Sequence, residues 1–207
     1  MILQDPMASL NPLFTIGDQV AEPMRVHEHM KRGGAWTRAK ELLGAVRISA
    51  PETRVGEYPH QMSGGMRQRI VGAIAISCEP ALLIADEPTT SLDLTIQAQY
   101  LNLLSELQKR YHLALIFITH NLGIVAKMCD KVAVMYGGTV VEEGPAKDIL
   151  SRTAGRKHPY TAALLTSIPR AENIRGGGYL QAIEGDVLDT INIPAGCRFY
   201  GRCNRVT

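Results

Sequence analysis

The chain contains little of what marks several common classes of protein. It has four cysteines, 5% aromatic residues and a formal net charge of +2 over 207 residues. So few cysteines do not indicate a disulfide scaffold, and the small net charge gives no reason to expect nucleic-acid or membrane-surface binding. The apolar run at residues 113–118 is too short to cross a bilayer. Residues 1–10 contain Asp and Pro and lack a basic start, which argues against a secretory signal and favours the cytosol.

The most informative segment is the run LLIADEPTTS at residues 82–91. Its apolar part, residues 81–85, predicts a strand that is covered on both faces, as in a parallel sheet. Asp86 and Glu87 then lie at the carboxyl end of the strand, where open α/β sheets bind their ligands. A core strand that ends in two acids by chance is the alternative.

A glycine-rich turn precedes this strand. The segment SGGMRQR, residues 63–69, opens a predicted helix over residues 66–78. Paired glycines allow close approach of the backbone to an anion, and a helix N-terminus favours a phosphate. The alternative is a flexible turn in which Ser63 caps the helix.

The order of the motifs resembles that of ABC-type ATPases. SGGMRQR is followed by DEPT at residues 86–89, by SLD at residues 91–93 and by TH at residues 119–120. The segments QDPMASLNP at residues 4–12 and HPYT at residues 158–161 are similar to one branch, the ATP-binding subunits of oligopeptide, dipeptide and nickel importers. Met66 fits that branch, whereas Met62 stands where Leu is commoner, and the swap conserves volume.

The resemblance implies an α/β chain with a partial ABC-type P-loop NTPase fold, in which a parallel sheet carries a helical subdomain and a small C-terminal appendage. Residues 1–12 would be the end of a strand and the Q-loop, and residues 13–80 the helical subdomain with the signature. Residues 81–143 would be the catalytic α/β core, and residues 144–207 an importer-type extension.

The spacing of Ala39, Leu42, Leu43 and Val46 predicts a helix with one apolar face. Strand and helix alternate over residues 81–143, the pattern of a parallel α/β sheet, and the helix within this stretch has one apolar face formed by Ile96, Tyr100, Leu103, Leu104, Leu107 and Tyr111. We expect strands at residues 114–119 and 131–136, a hairpin turn at Gly137-Gly138, a helix near residues 147–151 and a glycine-rich linker at residues 176–178.

The resemblance also implies catalytic roles. Glu87 would be the general base that activates water for attack on the γ-phosphate of ATP. Asp86 would hold Mg²⁺ through a water, and His120 would hydrogen-bond the γ-phosphate. Gln4 would reach Mg²⁺ and the attacking water, although we expect it to be poorly held so near the start of the chain. A lone His after a strand is usually structural, so the role of His120 depends on the resemblance.

A second set of residues would act across a dimer. Ser63, Gly64, Gly65 and Met66 would bind the γ-phosphate of a nucleotide held by the opposite subunit. Asp93 would lie at the interface between two ATPase subunits.

The sequence has no Gly-x-x-x-x-Gly-Lys-Ser/Thr loop, which grips the β- and γ-phosphates in P-loop ATPases. We therefore expect the chain to be a fragment without its amino-terminal ATP-gripping part and to be inactive by itself. The alternative is a short natural product that has lost the activity.

The function implied is an ATP-hydrolysing subunit that powers an ABC importer of di- or oligopeptides, with nickel, glutathione or sugar conjugates left open as cargo. Its partners would be a second ABC ATPase subunit, transmembrane permease subunits and, indirectly, an extracytoplasmic substrate-binding protein, with no nucleic acid. It would lie at the cytoplasmic face of the membrane, held there by the permease. The alternatives are a degenerate partner that lends only its signature motif, and a soluble ABC protein outside transport.

The cysteines give a weaker indication. Cys197 and Cys203 lie in a tail that resembles cysteine-bearing tails of this branch, some of which bind an iron–sulfur cluster. Such a cluster usually needs four thiolates, so two unliganded thiols are the alternative unless a longer tail supplies the rest. Cys78 and Cys129 fit small core residues.

Overall fold

The computed structural model describes residues 1–90, 92–153, 155–168, 182–189, 191 and 193–205. It forms two compact units, Met1–His120 and Asn121–Thr207, which are treated separately here. Ser91 of the SLD motif and the glycines of the predicted linker at residues 176–178 lie outside the described residues.

The first unit begins with short and long helices. These are α1 (Pro6–Ser9), α2 (Ile16–His27), α3 (Arg32–Ala45), α4 (Pro51–Arg54) and α5 (Gly64–Ile76). The spacing of Ala39, Leu42 and Leu43 predicted one apolar face, and all three side chains on α3 are buried. Helix α5 begins two residues earlier than the sequence suggested, because the hydroxyl of Ser63 accepts a hydrogen bond from the Met66 amide at 3.3 Å and caps it.

The sheet of the first unit is parallel. Strand β1 (Leu82–Asp86) pairs in parallel with β2 (Ala114–Ile118), and Ile2 forms a parallel bridge to Ala85 of β1. Helix α6 (Leu94–Tyr111) connects the two strands. This is the βαβ arrangement that the alternation of apolar runs and amphipathic helix predicted.

Helix α6 is fixed at both ends. The Asp93 carboxylate accepts hydrogen bonds from the Thr95 and Ile96 amides, each at 3.0 Å. His112 ends the helix in the left-handed region, with φ of +50°. Four of the six residues predicted on its apolar face are buried, and the other two, Ile96 and Tyr111, are half-buried, so the helix packs with one face inward. The buried residues of the helix are Tyr100, Leu101, Leu103, Leu104 and Leu107.

The second unit contains α7 (Leu122–Met128), β3 (Lys131–Tyr136), β4 (Thr139–Pro145), α8 (Ala146–Leu150) and α9 (Pro159–Ser167). Strands β3 and β4 form an antiparallel sheet of their own. The hairpin turn predicted at Gly137 and Gly138 is confirmed: their φ values of +55° and +81° match the type I′ geometry that reverses the chain directly. The parallel pattern predicted from residue 81 onward therefore does not extend to β3.

The tail of the second unit is anchored by one aromatic side chain. Phe199 is 2% exposed and lies 5.1 Å from Tyr136, 5.4 Å from Tyr160 and 5.9 Å from His158, measured between ring centroids. The Arg198 guanidinium also donates to the Gly137 carbonyl. These contacts join the tail to the β3–β4 turn and to the start of α9. Within the described residues, no helix is long and apolar enough to span a membrane.

Candidate functional site

The two acids of the DEPT motif lie where β1 ends. Asp86 is the last residue of the strand, which has the predicted length of five residues but begins and ends one residue later than the apolar run at residues 81–85. The Asp86 amide donates to the Ile2 carbonyl at 2.9 Å, and the Glu87 amide donates to the Ile118 carbonyl at 2.9 Å. Backbone bonds to neighbouring chain segments on both sides therefore fix the position of this acidic pair.

The Glu87 carboxylate is the centre of a hydrogen-bonded cluster. The Gln4 side-chain amide and the Thr90 hydroxyl each donate to Oε2 at 2.9 Å, and His120 Nδ1 lies 2.9 Å from Oε1. Three of these residues, Gln4, Glu87 and His120, were predicted as catalytic from the sequence. The fourth, Thr90, was not predicted.

The electrostatics of the cluster favour a charged carboxylate. The hydrogen bond from His120 holds the pKa of Glu87 below its usual value, with further lowering by the Thr90 hydroxyl and the Gln4 amide. Glu87 is mostly covered, with 23% of its side chain exposed, whereas the His120 side chain is 74% exposed. An ionised acid that is partly shielded from water, beside an accessible imidazole, suits proton transfer.

The backbone at Glu87 is unusual. Its φ is +41°, in the left-handed region, where a non-glycine residue is uncommon. Such a conformation costs on the order of 1–3 kcal/mol and persists only where its surroundings enforce it. Here the enforcing contacts are the bond from the Glu87 amide to Ile118 and the turn bond from the Thr90 amide to the Glu87 carbonyl at 3.3 Å.

Gln4 is held more firmly than the sequence suggested. Ile2, two residues before it, is completely buried and bonded to β1. Asp5, the next residue, caps α1 by accepting from the Met7 amide at 2.8 Å. The expectation that Gln4 is poorly held was therefore wrong, because both of its flanks are fixed by hydrogen bonds.

The turn at Ser63 forms a second part of the site. Ser63 and Gly64 are exposed, whereas Gly65 and Met66 are half-buried. A Cβ on Gly65 would lie 3.0 Å from Ile96 Cγ2 of α6, so this glycine permits close approach of α5 and α6. In the described part of the chain no hydrogen bond joins this turn to the Glu87 carboxylate.

Arg67 links the Ser63 turn to the segment after Gln4. Its Nε donates to the Pro59 carbonyl at 2.8 Å, and its guanidinium contacts the Met7 sulfur of α1. Asp93, the other residue predicted at a dimer interface, uses its carboxylate to cap α6. Arg67 and Asp93 therefore both make stabilising contacts within the first unit.

The donor set near Glu87 is compatible with Mg²⁺. Asp86 and Gln4 offer a carboxylate and an amide oxygen, the hard ligands that this ion prefers, and Mg²⁺ is usually held by one or two carboxylates together with substrate phosphates. Among the described residues, no three His, Cys, Asp or Glu side chains cluster as metal ligands. The protein would therefore supply only part of the coordination.

The tail cysteines do not fit an iron–sulfur cluster in the part of the chain described. Cys197 is exposed, with its sulfur 4.0 Å from His158 Nε2, and the Cys203 sulfur accepts from the Arg205 amide at 3.4 Å. Four thiolates are the usual requirement. Burial raises the pKa of both Cys78 and Cys129, as expected for thiols that pack as small apolar residues.

The first unit combines a parallel βαβ sheet, an acidic pair at the end of its strand and a capped glycine turn, the features that the sequence predicted for an ABC-type fold. Residues 1–90 match the family described as ABC transporter, and residues 141–207 match the oligopeptide/dipeptide transporter C-terminal region. Among solved structures, CbiO1 of Clostridium perfringens, part of the ABC transporter complex CbiONQ, shares 29% identity with a TM-score of 0.62, over 72% of this chain and 57% of that one.

Two curated relatives are closer in sequence. The dipeptide transport ATP-binding protein DppD of Haemophilus influenzae is 50% identical over 207 residues, which is 100% of this chain and 61% of that protein. The oligopeptide transport ATP-binding protein AppD of Bacillus subtilis is 50% identical over 203 residues, 98% of this chain and 60% of that protein. The chain thus spans about three fifths of the length of these relatives, and over that length it resembles ATP-binding subunits of ABC transporters of the oligopeptide/dipeptide branch.

Proposed function

We propose that the whole protein is the ATP-hydrolysing subunit of an ABC importer of di- or oligopeptides. The observation that carries this proposal is the cluster in which Gln4, Thr90 and His120 all contact the Glu87 carboxylate. A pure interaction module has no need for an ionised acid, an imidazole and an amide joined at the end of a strand. The cargo class follows from the names of the relatives, which are dipeptide and oligopeptide transport ATP-binding proteins.

In the proposed reaction, Glu87 accepts a proton from the water that attacks the γ-phosphate. The carboxylate is ionised at neutral pH, as a glutamate ordinarily is, and the hydrogen bonds that lower its pKa also hold it in position. His120, whose ring is largely exposed, donates a hydrogen bond to the γ-phosphate oxygen and keeps the water in line. Gln4 orients the same water through its amide group.

Asp86 and the oxygen of Gln4 would hold Mg²⁺ together with the phosphates of ATP. The ion would neutralise charge on the phosphate oxygens as the bond to the leaving group breaks. Asp86 suits this task because its backbone bond to Ile2 fixes it at the end of β1.

The Ser63 turn would act on the nucleotide of a second ATPase subunit. Ser63, Gly64, Gly65 and Met66 precede or open α5, so the exposed amides and the hydroxyl suit a γ-phosphate brought by the partner. Asp93 would lie at the same interface. Closure of two subunits on ATP and their reopening after hydrolysis would then drive permease subunits in the membrane.

These partners would place the protein at the cytoplasmic face of the membrane, held by the permease, with an extracytoplasmic binding protein delivering the peptide. The four-part division of the chain at residues 12, 80 and 143 remains a prediction of the same proposal. An iron–sulfur cluster would need thiolates from a longer tail, since the described tail offers two and four are usual.

The test is reconstitution of the full-length protein with its permease subunits in lipid vesicles. We expect ATP-dependent uptake of labelled di- and oligopeptides when the matching binding protein is added. ATP hydrolysis with uptake of nickel or of a sugar conjugate instead would keep the ATPase role and overturn the cargo. Failure of the purified complex to hydrolyse ATP would favour the degenerate-partner alternative.

A further inference from the structure

Thr90 makes a contact with the reacting acid that its position in the sequence does not reveal. Its hydroxyl donates to Glu87 Oε2 at 2.9 Å, and its backbone amide donates to the Glu87 carbonyl at 3.3 Å. The two bonds hold both the side chain and the main chain of the same residue. We infer that Thr90 is a positioning residue that fixes the Glu87 carboxylate for proton transfer, and this inference rests on the proposed function.

The backbone conformation of Glu87 explains why its carboxylate needs a positioning contact. With φ of +41°, its Cα–Cβ bond points in a direction that an ordinary strand residue does not have. A carboxylate on a flexible two-carbon side chain samples several rotamers unless other groups hold it. Thr90 provides a short connection within the same turn, so the position of the acid relative to the end of β1 is preserved.

The way in which the three contacts are distributed over the two carboxylate oxygens supports the same conclusion. His120 occupies Oε1, whereas Thr90 and Gln4 share Oε2. Gln4 and His120 are candidates for direct contact with Mg²⁺, water or phosphate, so their hydrogen bonds to Glu87 must change when ATP binds. Thr90 is the contact that belongs to the same turn as Glu87, and it is able to remain in place throughout the cycle.

Thr90 is held in a turn that has a second anchor. Thr89, its neighbour, is buried, and its hydroxyl accepts a 3.0 Å hydrogen bond from the Gln97 side chain of α6. The Leu92 amide also donates to the Thr89 carbonyl at 3.2 Å. Helix α6 thereby fixes the segment from which Thr90 reaches Glu87, which makes Thr90 a suitable fixed point.

The test compares Thr90→Val, Thr90→Ser and a control, Thr37→Val, in the full-length protein within its importer complex. Valine keeps the shape of threonine without the hydroxyl, whereas serine keeps the hydroxyl. Thr37 is exposed on α3 and donates to the Gly33 carbonyl at 3.2 Å, so its replacement removes a comparable bond elsewhere. We expect Thr90→Val to lower kcat by roughly tenfold to a hundredfold with KM for ATP little changed, since small misplacements of catalytic groups have effects of this size.

Thr90→Ser should recover most of the lost kcat. The inference is overturned if Thr90→Val has the kcat of Thr37→Val, or if Thr90→Ser is as slow as Thr90→Val. Crystal structures of the full-length wild type and Thr90→Val give a result that does not depend on activity: we expect the Glu87 carboxylate to leave its wild-type position. An unmoved carboxylate overturns the inference even if no variant hydrolyses ATP, whereas an inactive wild type by itself counts only against the proposed function.

Discussion

The side-chain amide of Gln4 donates a 2.9 Å hydrogen bond to the carboxylate of Glu87, although 83 positions separate the two residues in the chain. The bridge between Ile2 and Ala85 brings their segments side by side in the sheet, and each residue lies two positions beyond its bridging partner. Because the segments run in parallel, the two side chains emerge at the same end. A residue at the start of the chain is thereby joined to the acid at the centre of the site.

Removal of the Gln4 side chain tests the importance of this bond. In the full-length complex, Gln4→Ala should reduce kcat by about tenfold or more, because a group that orients the attacking water is lost. Gln108→Ala, at a half-buried position on α6, is the matched control. Steady-state ATP hydrolysis measures both variants, and equal rates for the two would remove Gln4 from the mechanism.

His120 should matter for chemistry more than for stability. Its ring is exposed, so His120→Ala should leave the thermal unfolding temperature of the full-length protein nearly unchanged. The same change should reduce ATP turnover by on the order of a hundredfold, the usual effect of removing one hydrogen-bond donor that stabilises developing charge in the transition state. His60→Ala, also at an exposed position, is the control. A large drop in unfolding temperature with normal turnover would make His120 a structural residue.

Ser63 allows its capping and phosphate-binding roles to be separated. Aspartate and asparagine both cap helices as well as serine does, but only aspartate adds a negative charge. Ser63→Asp should therefore keep α5 as stable as Ser63→Asn while hydrolysing ATP at least about tenfold more slowly, since the charge repels the partner's γ-phosphate. Unfolding temperatures and hydrolysis rates of the two full-length variants decide the matter, and equal rates would contradict a role in phosphate binding.

Two glycines of the helical part should respond in opposite ways to a methyl group. A Cβ on Gly17 would lie 2.5 Å from Val55 Cγ2 and 2.7 Å from the Trp36 ring, whereas a Cβ on Gly33 of α3 meets nothing within 4 Å. We expect Gly17→Ala to lower the free energy of unfolding by about 1–3 kcal/mol through overpacking. Gly33→Ala should raise it by about 0.5–1 kcal/mol, because alanine is the better helix former. Denaturant titrations measure both, and matching signs would contradict the packing described around Gly17.

The tail contact at Phe199 is testable in the same way. Truncation of this buried ring in Phe199→Ala should cost about 3–5 kcal/mol in the unfolding of the second unit. Tyr200→Ala is the control, because Tyr200 is 61% exposed. Hydrogen exchange of the β3–β4 amides should become faster in the first variant and stay unchanged in the second. Equal protection in the two variants would mean that the tail does not stabilise the hairpin.

Much of the fold was predictable because local signals agreed with tertiary structure. The apolar run before Asp86 formed β1, the periodicity of α6 placed Tyr100 and Leu104 in the core, and the paired glycines at Gly137 produced a hairpin. These patterns depend on the period of burial and on backbone preference, which act over a few residues. Local periodicity does not determine which sheet a strand joins, so the sequence predicted the β3–β4 hairpin but not that it forms a sheet of its own.

The site was predictable in its members and not in all its contacts. Gln4, Glu87 and His120 were identified by resemblance, and the structure joins all three by hydrogen bonds. Thr90 was not predicted, because a hydroxyl residue in a turn is common. Its hydrogen bond to Glu87 also depends on the left-handed backbone of Glu87, which the sequence does not indicate. The burial of Phe199 could likewise not be predicted from the sequence, since a single aromatic residue in a tail forms no periodic pattern.

The central claim, that Glu87 is the general base of an ATPase, is tested most directly by Glu87→Gln in the full-length complex. Glutamine has the same shape but cannot accept the proton, so ATP should still bind while hydrolysis falls by at least about a hundredfold. Glu143→Gln, at an exposed position of β4, should hydrolyse ATP as the wild type does. Hydrolysis by Glu87→Gln at the rate of this control would contradict the account.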